Sequence, residues 1–404
     1  MTEHVLLLLT LPRPVLMTRS LRTGLAALSL LAAPAALAQV GGASVLFLQI
    51  EPDSRAAGMG NAGVALADNA NAVFWNPAGL GFQQGTEFGL TYSKWLPQFD
   101  AGLSFQYGVV KYNMGKLGTL GAHITYFDLG EFQPTDENGT EIGDPIQSRD
   151  LAVGLSYGKE LSNNLALGGA VRYINSDLAS GTTVGGQTYK PGTAFAVDLG
   201  AIYRSKPFDM GGMNTTFRAG ANLANFGSTI NYTGQAGSDN PIPTNLRFGL
   251  GATFDLDEFN RVNALVDFNK QLYHVTSDSV DSDGNGSLDQ RVTTVDSPFK
   301  ALFSSWKTLT VDIDGDGAQT PEQVSALQQI TIGGGLEYWY NQLFAMRMGG
   351  FYENPYNGNR KFLTLGAGLR YNIVGADFSY IYGLGTDSPL DRTLRFSLLI
   401  ALNR

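Results

Sequence analysis

The chain has 404 residues, with 27 Lys and Arg against 36 Asp and Glu, three histidines and no cysteine. A net charge of −9 argues against nucleic acid as a partner, which asks for a basic face, and a chain without cysteine has no disulfide bracing. His4, His123 and His274 are scattered and no catalytic spacing motif stands out, so no enzymatic activity is expected.

Residues 1–38 read as a secretory signal peptide. Leu25 to Ala36 is an apolar run broken by Ser29 and Pro34; Arg19 and Arg22 precede it, and Ala36-Leu37-Ala38 gives a small-x-small cleavage pattern before Gln39. The run is too short for a membrane span and a cleavage site follows it. Met17 is an alternative start. Removal of the leader takes away three arginines and one glutamate, leaving a mature charge of −11 (24 basic against 35 acidic).

Residues 39–85 have a different texture. "PDSRAAGMGNAGVALADNANAVFWNPAGL" (52–80) carries Gly58, Gly60, Gly63 and Gly79, too many for a good helix, and lacks the alternation of a strand. A short helix is predicted at about 65–75, ending before Asn76 because the residue preceding Pro77 is pushed out of the helical region.

From residue 86 onward the chain is built of alternating runs. "AFAVDLGAIYR" sets Phe195, Val197, Leu199, Ala201 and Tyr203 against Ala196, Asp198, Gly200 and Arg204, and "NLRFGLGATFDL" sets Leu246, Phe248, Leu250 and Phe254 against Arg247, Gly249, Gly251 and Thr253. "TLRFSLLIAL" repeats the pattern through Leu394, Phe396, Leu398, Ile400 and Leu402, and "FDAGLSFQYGVV" places Leu103, Phe105, Tyr107 and Val109 on one face. One side of each run is thus apolar and the other small or polar, as strands of a half-buried sheet require. Fourteen such runs follow one another: 86–96, 99–110, 117–128, 150–159, 164–175, 194–205, 215–226, 244–256, 259–270, 329–340, 343–353, 361–372, 374–383 and 392–403.

A water-soluble sandwich alternates in the same way, but three features favour an all-β, 14-stranded antiparallel transmembrane β-barrel over 86–404. The runs are about ten residues long, as a tilted strand needs to cross a bilayer. The polar face carries isolated charges (Arg172, Asp198, Arg204, Arg247, Arg370, Asp377), as a lumen would. Aromatics gather near run ends at Trp95, Tyr126-Phe127, Tyr173, Tyr203, Tyr338-Trp339-Tyr340 and Tyr380, which fits interfacial girdles. Connections also alternate between short and long, with Pro97-Gln98 as the exception, as expected of periplasmic turns and extracellular loops. Outer-membrane lipid is then the partner of the outer face. A barrel of this size encloses more space than its own inward side chains fill, so residues 39–85 are predicted to plug it. Both termini are expected on the periplasmic side.

The long loop at 271–328 contains "DSDGNGSLD" and "DIDGDGAQTPE". Asp281, Asp283 and Asn285, with Gly286, and Asp312, Asp314 and Asp316, with Gly317, have the one-three-five spacing of a Ca²⁺ loop. Position twelve departs from that pattern, being Val292 and Gln323, with Asp289 or Glu322 as substitutes in a shortened loop. Two readings stand: weak Ca²⁺ sites that order the loop, or solvated acidic turns without an ion.

"FLQIEPDSRAAGMGNAGVALADNANAVFWNPAGL" resembles the N-terminal segment of the PorV branch of the FadL superfamily of outer-membrane barrels. The resemblance rests on Phe47, Leu48, Ile50, Pro52, Asp53, Ser54, Arg55, Ala56, Gly58, Met59, Gly60, Ala70, Asn71, Trp75, Asn76, Pro77 and Ala78. Gly79 stands where many such sequences carry Lys, and Asn403-Arg404 where many barrels end on an aromatic. The resemblance implies a component of the type IX secretion system. Such a protein docks on the large translocon barrel, receives cargo through its C-terminal signal domain and delivers it to an attachment complex with a sortase-like enzyme. A FadL-like transporter of hydrophobic molecules is the alternative, and a structural or adhesive surface barrel is a third. The first alternative requires an apolar lumen pocket, whereas the assignable lumen residues are mostly Gly, Ala, Ser and Arg.

Overall fold

A computed structural model of the chain describes residues 42–99, 102–134, 141, 143–184, 187–235, 237–280, 290–311, 322–385 and 388–402. The leader at 1–38 and both acidic motifs, from Asp281 to Asp289 and over 312–321, lie outside them.

Among the described residues, fourteen antiparallel strands close into a barrel. They are β1 (Thr86–Lys94), β2 (Ser104–Asn113), β3 (Thr119–Phe132), β4 (Ile146–Ser162), β5 (Leu165–Asp177), β6 (Gly192–Arg204) and β7 (Met213–Gly227). The circuit continues with β8 (Asn245–Asp255), β9 (Asn260–Gln271), β10 (Ile330–Tyr340), β11 (Phe344–Tyr352), β12 (Lys361–Tyr371), β13 (Val374–Gly383) and β14 (Leu394–Leu402). Each pairs with its neighbours in sequence, and β14 closes on β1 from Thr86↔Leu402 to Ser93↔Arg395. Closure leaves the fourteen-stranded ring itself without an unpaired edge, which a bilayer demands, and a short strand, Phe208–Met210, pairs only with the start of β7. No helix among the described residues is long and apolar enough to cross a membrane.

Side chains sort by strand period. On β1, Phe88, Leu90 and Tyr92 are exposed while Glu87, Thr91 and Ser93 are buried; on β14, Leu394, Phe396 and Leu398 are exposed while Arg395 and Ser397 are buried. A polar interior under an apolar exterior is the inverse of a water-soluble sheet. Outward tyrosines mark both rims: Tyr112, Tyr203, Tyr340 and Tyr371 at the short-turn end, Tyr352 and Tyr382 at the other.

Three expectations are corrected. On β2 the apolar face points inward, not toward lipid: Leu103, Phe105, Tyr107 and Val109 are buried, and Gln106 is exposed. The reason is tertiary, since Phe105, Tyr107 and Val109 form one cluster with Phe47, Leu48, Ile50, Val73 and Leu80 of the N-terminal segment. Trp95, Phe127 and Trp339 likewise face inward and take no part in the girdles. The connection between β1 and β2 runs from Trp95 to Leu103, not Pro97-Gln98 alone, so it belongs with the long loops and the alternation has no exception there.

Candidate functional site in the barrel lumen

Residues 42–85 touch the inward faces of strands around the whole ring. They form a 3₁₀ turn at Leu46–Gln49, helix α1 (Ser54–Ala57), helix α2 (Ala72–Trp75) and a 3₁₀ stretch at Pro77–Phe82. Helix α2 is shorter than the predicted 65–75. Ala67 has φ of 31°, and the N–H groups of Gly63 and Val64 are taken by Asp267 of β9 at 2.7 and 2.9 Å, so the chain before Asn71 is not free to coil. Asn76 ends the helix, extended at φ −166°, as its position before Pro77 requires.

The sequence-predicted residues fall into three anchoring groups. In the first, Asp53 caps α1 by accepting from Ala56 N–H at 2.8 Å, and its other oxygen accepts from the Trp75 indole at 2.5 Å. Burial pushes the Asp53 carboxyl above its ordinary value of 3.8; the bonds from Ala56 and Trp75 pull the other way without cancelling it. Ser54 is bonded to Ser397 of β14 at 2.9 Å. Arg55 donates twice to Glu337 of β10, at 2.8 Å each, and also to Asp68.

Glu337 is the hub of this group. It is fully buried and accepts further from Arg347 Nε at 2.7 Å and Asn263 Nδ2 at 2.8 Å. Register makes this possible, because Asn263, Glu337 and Arg347 are directly opposed on β9, β10 and β11. Arg347 then reaches Asp377 at 2.8 Å, which also accepts from Arg370 at 2.6 Å. The buried Glu337 carboxylate thus has four donors and two flanking guanidinium groups, as buried charge requires, while Arg347 Nη2 has no hydrogen-bond partner among the described residues.

The second group is a backbone contact. Gly60 (φ 68°) donates its N–H to Thr364 Oγ1 at 2.9 Å and lies directly on β10 and β11. A Cβ on Gly349 would stand 2.2 Å from Gly60 N, and one on Gly333 2.2 Å from Gly60 O, so strand glycines admit this approach. Gly58 and Met59 are buried beside them.

In the third group Asn76 is fully buried. Its amide donates to Ala201 O at 3.1 Å, Ala221 O at 3.2 Å and Val64 O at 3.3 Å, while its oxygen accepts from Ala78 N–H at 3.2 Å. Pro77 rests on Gly168 of β5, where a Cβ would come within 2.3 Å of it. Phe47 and Pro52 are buried in the apolar part of the segment.

Glu337, Arg347 and Asp267 escaped the sequence reading. Their signal was available: each is a lone charge on the polar side of an alternating run, as Asp377 and Arg370 are.

The lumen holds more apolar surface than the sequence suggested, but it is covered. Phe105, Tyr107 and Phe127 are sealed by Val45, Phe47 and Ile50, and by Ile230, Tyr232 and Ile242 of the loop between β7 and β8. Ser44 N–H bonds to Pro241 O of that loop at 2.9 Å. The described chain therefore begins at the long-loop end, whereas Leu402 ends at the short-turn end. At the short-turn end lies a cavity of about 480 Å³ whose mixed lining includes the charged Asp68, Glu87, Arg204, Arg218 and Arg261 beside Leu66, Phe82 and Ile202. No cluster of three or more His, Asp or Glu suited to a metal occurs among the described residues.

The family model for the type IX secretion system protein PorV matches residues 35–278, more than half of the chain. The chain belongs to the PorV family. This PorV-family chain is accordingly an outer-membrane protein of type IX secretion. No curated protein matches it. Among solved structures it is similar to the Ralstonia pickettii toluene transporter TbuX, at 15% identity over 88% of this chain and 99% of that one, with a TM-score of 0.46. The Pseudomonas putida toluene transporter TodX is similar at 13% identity over 85% and 95%, with a TM-score of 0.45. A Pseudomonas aeruginosa FadL homologue is similar at 11% identity over 87% and 98%, with a TM-score of 0.43. Likeness at this level says nothing about what the present chain binds.

Proposed function

We propose that this barrel is a carrier in type IX secretion that performs no chemistry. It accepts secreted cargo, through the cargo's C-terminal signal domain, from the large translocon barrel and hands it to an attachment complex with a sortase-like enzyme. The long loops face the exterior, and β14 ends toward the periplasm. The leader at 1–38 is removed on export, and residues 39–85 serve as a fixed plug.

Membership of the PorV family carries this reading. The filled lumen supports it against the transporter alternative. The apolar side chains around Phe105 and Phe127 are occupied by the N-terminal segment and the loop between β7 and β8, and charged side chains such as Arg204, Arg218 and Arg261 are set among the apolar ones that line the cavity beneath, which suits a hydrocarbon poorly. A lumen occupied in this way leaves the rim and the outer wall as the working surfaces.

Affinity purification from native membranes tests the proposal. Co-recovery of a very large outer-membrane translocon subunit, together with secreted proteins sharing a C-terminal domain, is the expected result. Recovery of the barrel alone with a hydrophobic small molecule in its lumen would point to the transporter.

A further inference from the structure

The loop between β9 and β10 carries helix α3, Pro298–Ser304. Its sidedness is inverted relative to a helix on a soluble protein. The residues turned toward the barrel are small, namely Ala301, Ser304 and Ser305, each at most 5% exposed, whereas Phe299 is 72% and Phe303 79% exposed. Trp306, just beyond the helix, is 43% exposed.

The small side is firmly held. Asp296 accepts from Ser304 Oγ at 2.7 Å and from Lys300 Nζ at 2.5 Å, and His274 Nδ1 lies 3.0 Å from it. Lys270 of β9 donates to Ser305 O at 2.9 Å. The aromatic side is therefore presented by a fixed helix, and large apolar groups held in water need a partner.

Position on the barrel identifies that partner. Phe299 packs edge-on against Phe226 at 5.0 Å between centroids, with planes at 80°. Phe226 sits at the long-loop end of β7 opposite Val197 of β6, and Val197 belongs to the lipid-facing side with Phe195 and Leu199. The aromatic face of α3 thus continues the lipid-facing band past the end of the strands. Exposed Lys307 follows it, as cations do where a bilayer turns to headgroups.

We propose that α3 lies on the membrane at the long-loop rim, with Phe299 and Phe303 in the lipid boundary between headgroups and acyl chains. The helix is thereby pinned to the bilayer over β7.

Phe303→Trp and Phe299→Trp, reconstituted separately into phosphatidylcholine vesicles, test this. Trp306 is replaced by Phe in both variants and in the reference protein, while Trp75 and Trp339 are buried inside the barrel and Trp95 packs inward, so the emission added over that reference reports on the new site. Lipid brominated near the headgroup end of its chains is expected to quench at least half of the added emission, and lipid brominated near the chain ends much less. Added emission that ignores both lipids and is quenched by aqueous iodide in either variant would overturn the proposal. So would protection from iodide that arises only when a protein partner is added.

Discussion

Arg55 and Glu337, 282 positions apart in sequence, are joined by two hydrogen bonds of 2.8 Å. This pair ties the N-terminal segment to the barrel wall. Glu337→Ala leaves Arg55 and Arg347 buried without their shared carboxylate, and breaking a buried pair in this way costs about 3–5 kcal/mol. Urea unfolding in detergent, followed by tryptophan emission, checks the value. Arg261→Ala is the control: Arg261 is paired to Asp255 with side chains 44% and 32% exposed, and exposed pairs of this kind are worth about 1 kcal/mol or less.

Gly349 and Gly350 are adjacent on β11 and respond oppositely to a side chain. A Cβ on Gly349 would stand 2.2 Å from Gly60 N, whereas one on Gly350 meets nothing nearer than Leu363 at 3.6 Å. Gly349→Val is expected to leave a folded, heat-modifiable barrel whose residues 42–85 are cut by added protease. Gly350→Ala is expected to be protected like the parent.

Asn76 anchors three carbonyls at once. Asn76→Ala removes the amide and leaves buried partners unsatisfied, for a loss of about 1–3 kcal/mol. The same unfolding assay reads it, and protease cleavage is expected between Val64 and Leu80 before the barrel itself opens.

Asp53 makes attachment of the segment pH-dependent. Its carboxyl is raised in the folded protein by burial, so the unfolded state loses the proton first as pH rises. Asp53 therefore lowers stability as pH climbs from about its ordinary value of 3.8 through the raised one. Below 3.8 both states are protonated and that penalty is absent. Thermal unfolding of the parent, compared with Asp53→Ser across this range, is expected to show the parent losing ground with rising pH and the variant lacking that slope. Serine keeps the helix cap and removes the charge.

Much of this architecture was legible because a strand's period is two. Runs such as "AFAVDLGAIYR" announce face, length and environment together, and all fourteen appear as strands, although β2 begins at Ser104 rather than 99 and β4 at Ile146 rather than 150. The inversion of β2 was not legible. Phe105 and Tyr107 alternate like lipid-facing residues, and only their contact with Phe47 and Ile50, more than fifty positions earlier, turns them inward. Trp339 misled for a similar reason, since an aromatic near a strand end suits a girdle unless register places it over Arg347. The anchoring chemistry divides in the same way. Asp53 as a cap and Asn76 before a proline are local signals, whereas the joining of Arg55 to Glu337 depends on closure of the ring.

Ion conductance across a planar bilayer tests the central claim that the lumen is stoppered by its own N-terminal segment. The intact barrel is expected to be silent, and a variant lacking residues 42–83 or carrying Glu337→Ala is expected to conduct in discrete steps. Steady conductance through the intact protein, unchanged by removal of that segment, would contradict it.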